Sequence, residues 1–292
     1  TLTPAVGITE PTNLITLDNT GVTDLSGNTG AGNTNSNNYA IDTNRPTATI
    51  VIADNVLSIG ETPTVTITFS EAVTGFTNDD LTIANGTLSS VSSSDAGITW
   101  EATFTPAVGI TDLSNVITLD NTGVTDLAGN TGTGITNSNN YAIDTKRPTA
   151  TIVMADAALS IGETPTVTIT FSEAVTGFTN ADLTIANGTL SAVNSTDGGI
   201  TWKATLTPTI GITDLTNVIT LDNTGVTAVS SGNAGTGNTS SANYAIDTTR
   251  PTATIVVADA ALNIGKTPTV TITFSEAITG FTNDDLTIAN GT

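Results

Sequence analysis

The sequence contains no cysteine and no histidine in 292 residues. Those absences exclude a disulfide framework, zinc sites built on thiolate or imidazole, cysteine nucleophiles, and every triad that uses an imidazole base. Aromatics make up only 4% of the chain, and 6 basic residues face 27 acids, for a formal charge of −21. With no Lys/Arg cluster to replace counterions on phosphates, nucleic acid and anionic membrane surfaces are poor partners. No apolar run approaches the ~18 residues that span a bilayer, and no secretory signal opens the chain. The opening TLTPAVGITEP reads as the middle of a domain, so a fragment of a longer protein is expected. Folded stability must come from aliphatic packing, from length, or from bound ions.

What the chain does contain is repetition. RPTATIV begins at Arg45, Arg147 and Arg250, with spacings of 102 and 103 residues; TFSEA recurs at Thr68, Thr170 and Thr273, and NYAIDT at Asn38, Asn140 and Asn243. Two whole units follow, 45–146 and 147–249, flanked by the back part of one (1–44) and the front part of another (250–292). The extra residue comes from VTAVSSGN (226–233) set against VTDLAGN (124–130). A period this long is too great for a solenoid rung and fits a small independent domain.

The local pattern is strand throughout. Thr alone supplies 65 residues, and with Val and Ile it favours pleated structure. TVTITF (64–69) alternates strictly, with Val65, Ile67 and Phe69 on one face; ITWEATF (98–104) puts Trp100, Ala102 and Phe104 inward. Seven strands are expected in 45–146, at about 47–53, 63–70, 80–84, 87–92, 98–105, 115–120 and 139–144. Turn signals separate them: SIGETP, TGFTND, ANGT, SSDAG, PAVGITD and DLAGNTG. Seven short antiparallel strands in about 100 residues, without helical periodicity, read as an immunoglobulin-like sandwich. The fold class is all-β: tandem immunoglobulin-like β-sandwich domains joined end to end by short linkers. Trp100 and Trp202 read as core anchors.

The blocks RPTATIVIAD, GETPTVTITFSEAVTGFTNDDLTIANGTL, WEATFTPAVG, GVTDLAGNTGTG and NYAIDT resemble, taken together, the bacterial immunoglobulin-like repeats of giant surface adhesins, including RTX-type and biofilm-associated ones. The resemblance covers both whole units and both partial ones. It implies a secreted, extracellular, calcium-stiffened extender on the bacterial cell surface, supporting cell adhesion and biofilm formation.

In such a sandwich alternate loops return to one pole. For 45–146 the incoming pole gathers Asp42 from the linker, Glu71, Asp79 and Asp80, Asp95, and Asp126 with Asn130; the outgoing pole carries Asp54, Glu61 and Asp112 and leads into Asp144. Stacked units would set acids against acids, with the linker arginines almost alone to offset them. A hard divalent cation with oxygen ligands resolves that conflict, and Ca²⁺ takes six to eight such ligands from flexible loops. Asp42, Glu71, Asp80 and Asp126, with Asp79 nearby, are the expected ligands at the first junction. Asp144, Glu173 and Asp182 remain at the second, where Ala181 and Ala228 replace Asp79 and Asp126, so that junction is expected to have lost or weakened a site. Asp247, Glu276, Asp284 and Asp285 stand at the third. No EF-hand or nonapeptide calcium motif occurs, so the expectation rests on loop convergence.

An enzyme is disfavoured, because adjacent Asp79 and Asp80 on a strand would face opposite ways and no imidazole or thiol is present. A calcium-dependent carbohydrate-binding module is a second reading, weakened by near-identical units and scarce aromatics. Lateral or head-to-tail self-association into a fibre or sheath is a third, permitted by uncharged strands and open edges. The three Asn-Gly-Thr sequons at Asn85, Asn187 and Asn290 read as tight turns rather than glycan acceptors.

Overall fold

The computed structural model describes residues 1–291. It divides into two compact units: Thr1–Arg147 together with Ser230–Asn233, and the remaining residues from Pro148 onward. Every regular element among the described residues is a β-strand or a single 3₁₀ turn. None is a helix long and apolar enough to cross a membrane.

Repeat 45–146 lies in the first unit. Its larger sheet runs in the order Gly86–Leu88, Thr99–Pro106, Thr64–Phe69, Ala48–Ile52, with Ser92–Ser93 also pairing to Thr99–Pro106. Strict alternation decides the faces: Val65, Ile67 and Phe69 are buried, while Thr64 and Thr68 are exposed. The register continues the inward set, pairing Ile67 with Ile50 and Trp100, and Val65 with Ile52 and Ala102. Opposite lie two three-stranded sheets: Leu81–Ile83, Ile117–Asp120 and Ile135–Asn137, and Thr111–Asn115, Tyr141–Asp144 and Val56–Leu57. Leu81, Ile117, Leu119, Tyr141 and Ile143 from this layer close the core over Val65, Ile67 and Phe104. Each such side chain, fully buried, contributes about 1.5–3 kcal/mol.

The second unit holds repeat 147–249 apart from Arg147 and Ser230–Asn233, built the same way around Val167, Ile169, Leu206, Ile219, Leu221, Tyr244 and Ile246. The partial repeats keep the matching pieces. Thr9–Asn13 pairs with Tyr39–Asp42 in the first unit, and Ala253–Val257 with Val270–Phe274 in the second.

Three details differ from the sequence expectation. PAVGITD is not only a turn: it runs into the strand Thr111–Asn115, which pairs with Tyr141–Asp144 through a bulge between Asp112 and Asn115. The pairing is not wholly antiparallel, since Val56–Leu57 runs parallel to Tyr141–Asp144. The chain changes layers at Asp54, whose carboxylate accepts from Val56 N at 3.0 Å, and Ala142 N then donates to Asn55 O at 2.9 Å. The Asn85-Gly86 turn is present, with Asn85 at φ 54°, but its flanking strands pair with different partners, so it carries the chain between layers rather than closing a hairpin. Trp100 is partly buried at the rim of the core, edge-on to Phe76 at 5.3 Å, and donates Nε1–H to Gly97 O at 3.1 Å. Trp202 repeats this against Phe178 and Gly199.

Candidate metal site

Three strand ends deliver carboxylates to one place in the first unit. Asp42 ends the strand Tyr39–Asp42 of the partial repeat, and its Oδ1 accepts from Thr9 Oγ1 at 2.9 Å and Asn44 N at 3.2 Å. Glu71 follows the strand Thr64–Phe69 and is half-buried. Asp126 sits in the two-residue strand Thr125–Asp126, paired to Val73–Thr74, and is only 3% exposed. One oxygen from each of the three lies within 4.8 Å of the others.

The loop Asp126–Asn130 holds its acid firmly. Oδ1 accepts from Ala128 N at 2.9 Å and Asn130 N at 2.8 Å, and Oδ2 accepts from Asn130 Nδ2 at 2.8 Å. The same Asn130 amide reaches across the repeat boundary to Asp42 O at 3.2 Å. Burial alone would raise the Asp126 pKa, but hydrogen bonds from the Asn130 side chain and from the Asn130, Ala128 and Gly129 backbone outweigh it and hold the carboxyl below its ordinary value. Glu71 has no such support. Burial first, then the negative charges of Asp126 and Asp42, push its carboxyl up. The cluster is therefore a pre-formed anionic recess whose least supported member resists ionisation.

Asp79 and Asp80 do not join that group. They lie in the 3₁₀ turn Asn78–Asp80, where Asp80 Oδ2 accepts from Thr77 N at 2.8 Å in a capping box, and Asp79 is exposed. The box fixes Asp80 against Gly123, where a Cβ would collide with its carboxylate. Asp182 and Asp285 occupy the same box in later repeats, accepting from Thr179 N at 2.7 Å and Thr282 N at 2.8 Å. Asp144 and Asp247 repeat the local setting of Asp42, accepting from Thr111 Oγ1 at 3.0 Å and Thr213 Oγ1 at 2.8 Å. Glu173 is half-buried, and Glu276 and Asp284 are exposed.

The comparison among repeats turns on Asp126. Asp24 has the same loop, accepting from Ser26 N, Asn28 N and Asn28 Nδ2, each at 2.9 Å. At the matching position of the next repeat stands Ala228, 1% exposed and paired with Val175 as Asp126 is with Val73. The first unit also takes in Ser230–Asn233. There Asn233, the counterpart of Asn130, donates to Asp144 O at 2.9 Å and Lys146 O at 2.8 Å and accepts from Ile59 N at 3.0 Å. Its role was not evident from the sequence, where the added residue signalled only a longer loop.

The profile of the bacterial Ig-like domain matches four consecutive stretches, residues 1–41, 42–143, 144–246 and 247–292. The chain belongs to the bacterial Ig-like domain family. Among solved structures, these bacterial Ig-like repeats are similar to FdeC, a broadly conserved Escherichia coli adhesin, at 15% identity and a TM-score of 0.32, covering 79% of this chain and 73% of that one. They are also similar to the Yersinia pseudotuberculosis adhesin InvE, at 17% identity and a TM-score of 0.26, covering 68% of this chain and 58% of that one. No curated protein sequence gives a significant match. Within the family's matched frame, Asp42, Glu71 and Asp126 all fall in one stretch, 42–143, with Asp42 as its first residue.

Proposed function

We propose that this chain is a non-catalytic extender segment of a large secreted bacterial surface adhesin, stiffened where residues 1–44 meet 45–146 by Ca²⁺ held between Asp42, Glu71 and Asp126. The observation that carries the reading is the convergence of three carboxylates within 4.8 Å, one from the end of the preceding repeat and two from the loops of the next. Donor chemistry fits a hard cation: all three side chains offer carboxylate oxygen, the ligand type Ca²⁺ takes. The cation would favour the ionised form of Glu71, opposing both the burial and the Asp126 and Asp42 charges that push its carboxyl up. Near-identical repeats favour length and stiffness over recognition, and secretion to the cell surface and a part in biofilm adhesion belong to the same reading. Ala228 withholds the third carboxylate in the next repeat, so that position is read as ion-poor.

Titration calorimetry of CaCl₂ into the full chain tests this. One junction site of ~10⁻⁴–10⁻³ M affinity is expected, in the range of extracellular modules, and it should vanish in the Asp42→Asn/Asp126→Asn double variant. No binding heat, or unchanged heat in the double variant, would remove this cluster from the mechanism.

A further inference from the structure

Asn-Gly-Thr occurs at Asn85, Asn187 and Asn290, and all three asparagines adopt left-handed backbone, with φ of 54°, 55° and 57°. Asn-Gly is the dipeptide at which the next residue's backbone nitrogen most readily attacks the side-chain carbonyl, because glycine places no side chain in the way. In that reaction a bond forms between glycine N and asparagine Cγ while the Cγ–Nδ2 bond breaks. Ammonia leaves with the proton given up by the attacking nitrogen. Water then opens the five-membered imide at either carbonyl, giving Asp or isoaspartate. Sequence and backbone are alike at Asn85 and Asn187, the turns of the two whole repeats.

The side-chain amide is held in the same way at both. Asn85 Nδ2 donates to Asp112 Oδ2 at 2.9 Å and to Asn115 Oδ1 at 2.8 Å. Asn115 is itself 3% exposed and anchored through donation to Asp112 O at 3.1 Å and Tyr141 O at 3.2 Å. Asn187 repeats the arrangement with Asp214 Oδ2 and Asn217 Oδ1, both at 2.9 Å. The turn carbonyls are also held, accepting from Ala107 N at 2.8 Å and Thr209 N at 2.9 Å. Gly86 packs so closely beneath Phe104 that even a Cβ would collide with the ring.

We propose that Asp112 with Asn115, and Asp214 with Asn217, are latches that keep Asn85 and Asn187 from deamidating while the repeat is folded. Opening a repeat converts its Asn-Gly turn into a covalent modification site. The latch works by holding Nδ2 in two hydrogen bonds, so loss of the amide first requires both to break. The product opposes re-closure. Aspartate at position 85 sets a second anion against Asp112 in place of a donor, and isoaspartate lengthens the turn by one backbone carbon. An opening event thus leaves a permanent mark.

Peptide mapping by mass spectrometry after prolonged incubation of the full chain near neutral pH tests this, with Asn85 and Asn187 as mutual controls. Both should convert about tenfold or more slowly in the folded chain than in urea, the factor expected from one charge-assisted hydrogen bond. Asp112→Ala should accelerate Asn85 and leave Asn187 unchanged, with Trp fluorescence verifying the fold. Equal rates in the folded chain and in urea would overturn the proposal, whatever the variant does. So would a folded Asp112→Ala chain whose Asn85 rate is unmoved.

Discussion

Replacing Glu71 by Gln separates repulsion from ligation at the acid cluster. Two full charges at 4.8 Å, the outer limit for this group, repel by about 3.5 kcal/mol at an effective dielectric constant of ~20. Solvent screening around the half-buried Glu71 and Asp42 reduces this, leaving ~1–2 kcal/mol for the two pairs that Gln removes. In EDTA, Glu71→Gln should therefore raise the melting temperature of repeat 45–146 by about 4–8 °C for each kcal/mol. The sign with pH follows from the raised Glu71 pKa. The folded state holds this proton more tightly than the unfolded chain, so the contribution is fully present below the ordinary glutamate value of 4.5 and is lost as pH climbs through the raised one. The advantage of Gln should accordingly appear toward neutral pH and fade in acid. In ~2 mM CaCl₂ the order changes: a site of ~10⁻⁴–10⁻³ M affinity adds roughly 0.6–1.8 kcal/mol to wild type, and a variant with two carboxylates should gain less than half of that. Trp100 fluorescence in a Trp202→Phe background reads this repeat alone. A Gln variant no more stable than wild type in EDTA, or one that keeps the full calcium gain, would refute the reasoning.

Other positions give sharper local tests. Tyr141 donates its hydroxyl to Ala84 O at 3.1 Å, so Tyr141→Phe should cost about 0.5–1.5 kcal/mol in urea unfolding. Burial, then the Asp112 charge, pushes that phenol up to about 12 from 10.0; its contribution holds below 10.0 and is lost between there and about 12, which alkaline absorbance titration with circular dichroism will follow. Gly97 has φ 95°, and a Cβ there would sit 2.6 Å from Val73 O. Gly97→Ala should therefore lower the urea midpoint by the equivalent of ~1–3 kcal/mol or more, whereas Gly109→Ala, strained at φ 72° but opening into free space, should cost less. Hydrogen bonds from Thr201 N and then Ser195 Oγ lower Asp197 to about 2. Its contribution is present above the ordinary value of 3.8 and is lost as pH falls toward about 2, and carbon NMR of Ser195→Ala should show the midpoint returning upward.

Strict alternation made the sheet of Thr64–Phe69 and Thr99–Pro106 legible, because one-sided burial imposes a period of two. The strand Thr111–Asn115 escaped because its bulge breaks that period and its inward positions are polar: Asn115 is buried as a hydrogen-bonded side chain, not as an apolar one. Asp42, Glu71 and Asp126 could be brought together on paper by counting which loops return to one pole. Asp80 could not be separated from them that way, although Thr77-Asn78-Asp79-Asp80 carries the spacing of a capping box, and that local demand claims its carboxylate. The neutral replacement Ala228 was visible in the repeat alignment. The route by which Asn233 reaches Asp144 O depends on loop geometry that no residue pattern encodes.

The parallel pairing of Val56–Leu57 with Tyr141–Asp144 has a mechanical consequence. The second strand of the repeat and its last run side by side in the same direction, so once a pull on Arg45 and an opposite pull on Lys146 reach them they slide past each other. The bond from Ala142 N to Asn55 O and its neighbours are then loaded together in shear, instead of being peeled open one after another. Resistance to such a pull is a rate, set by the barrier to simultaneous rupture. A repeat of only modest equilibrium stability can thereby hold under load for as long as that barrier lasts.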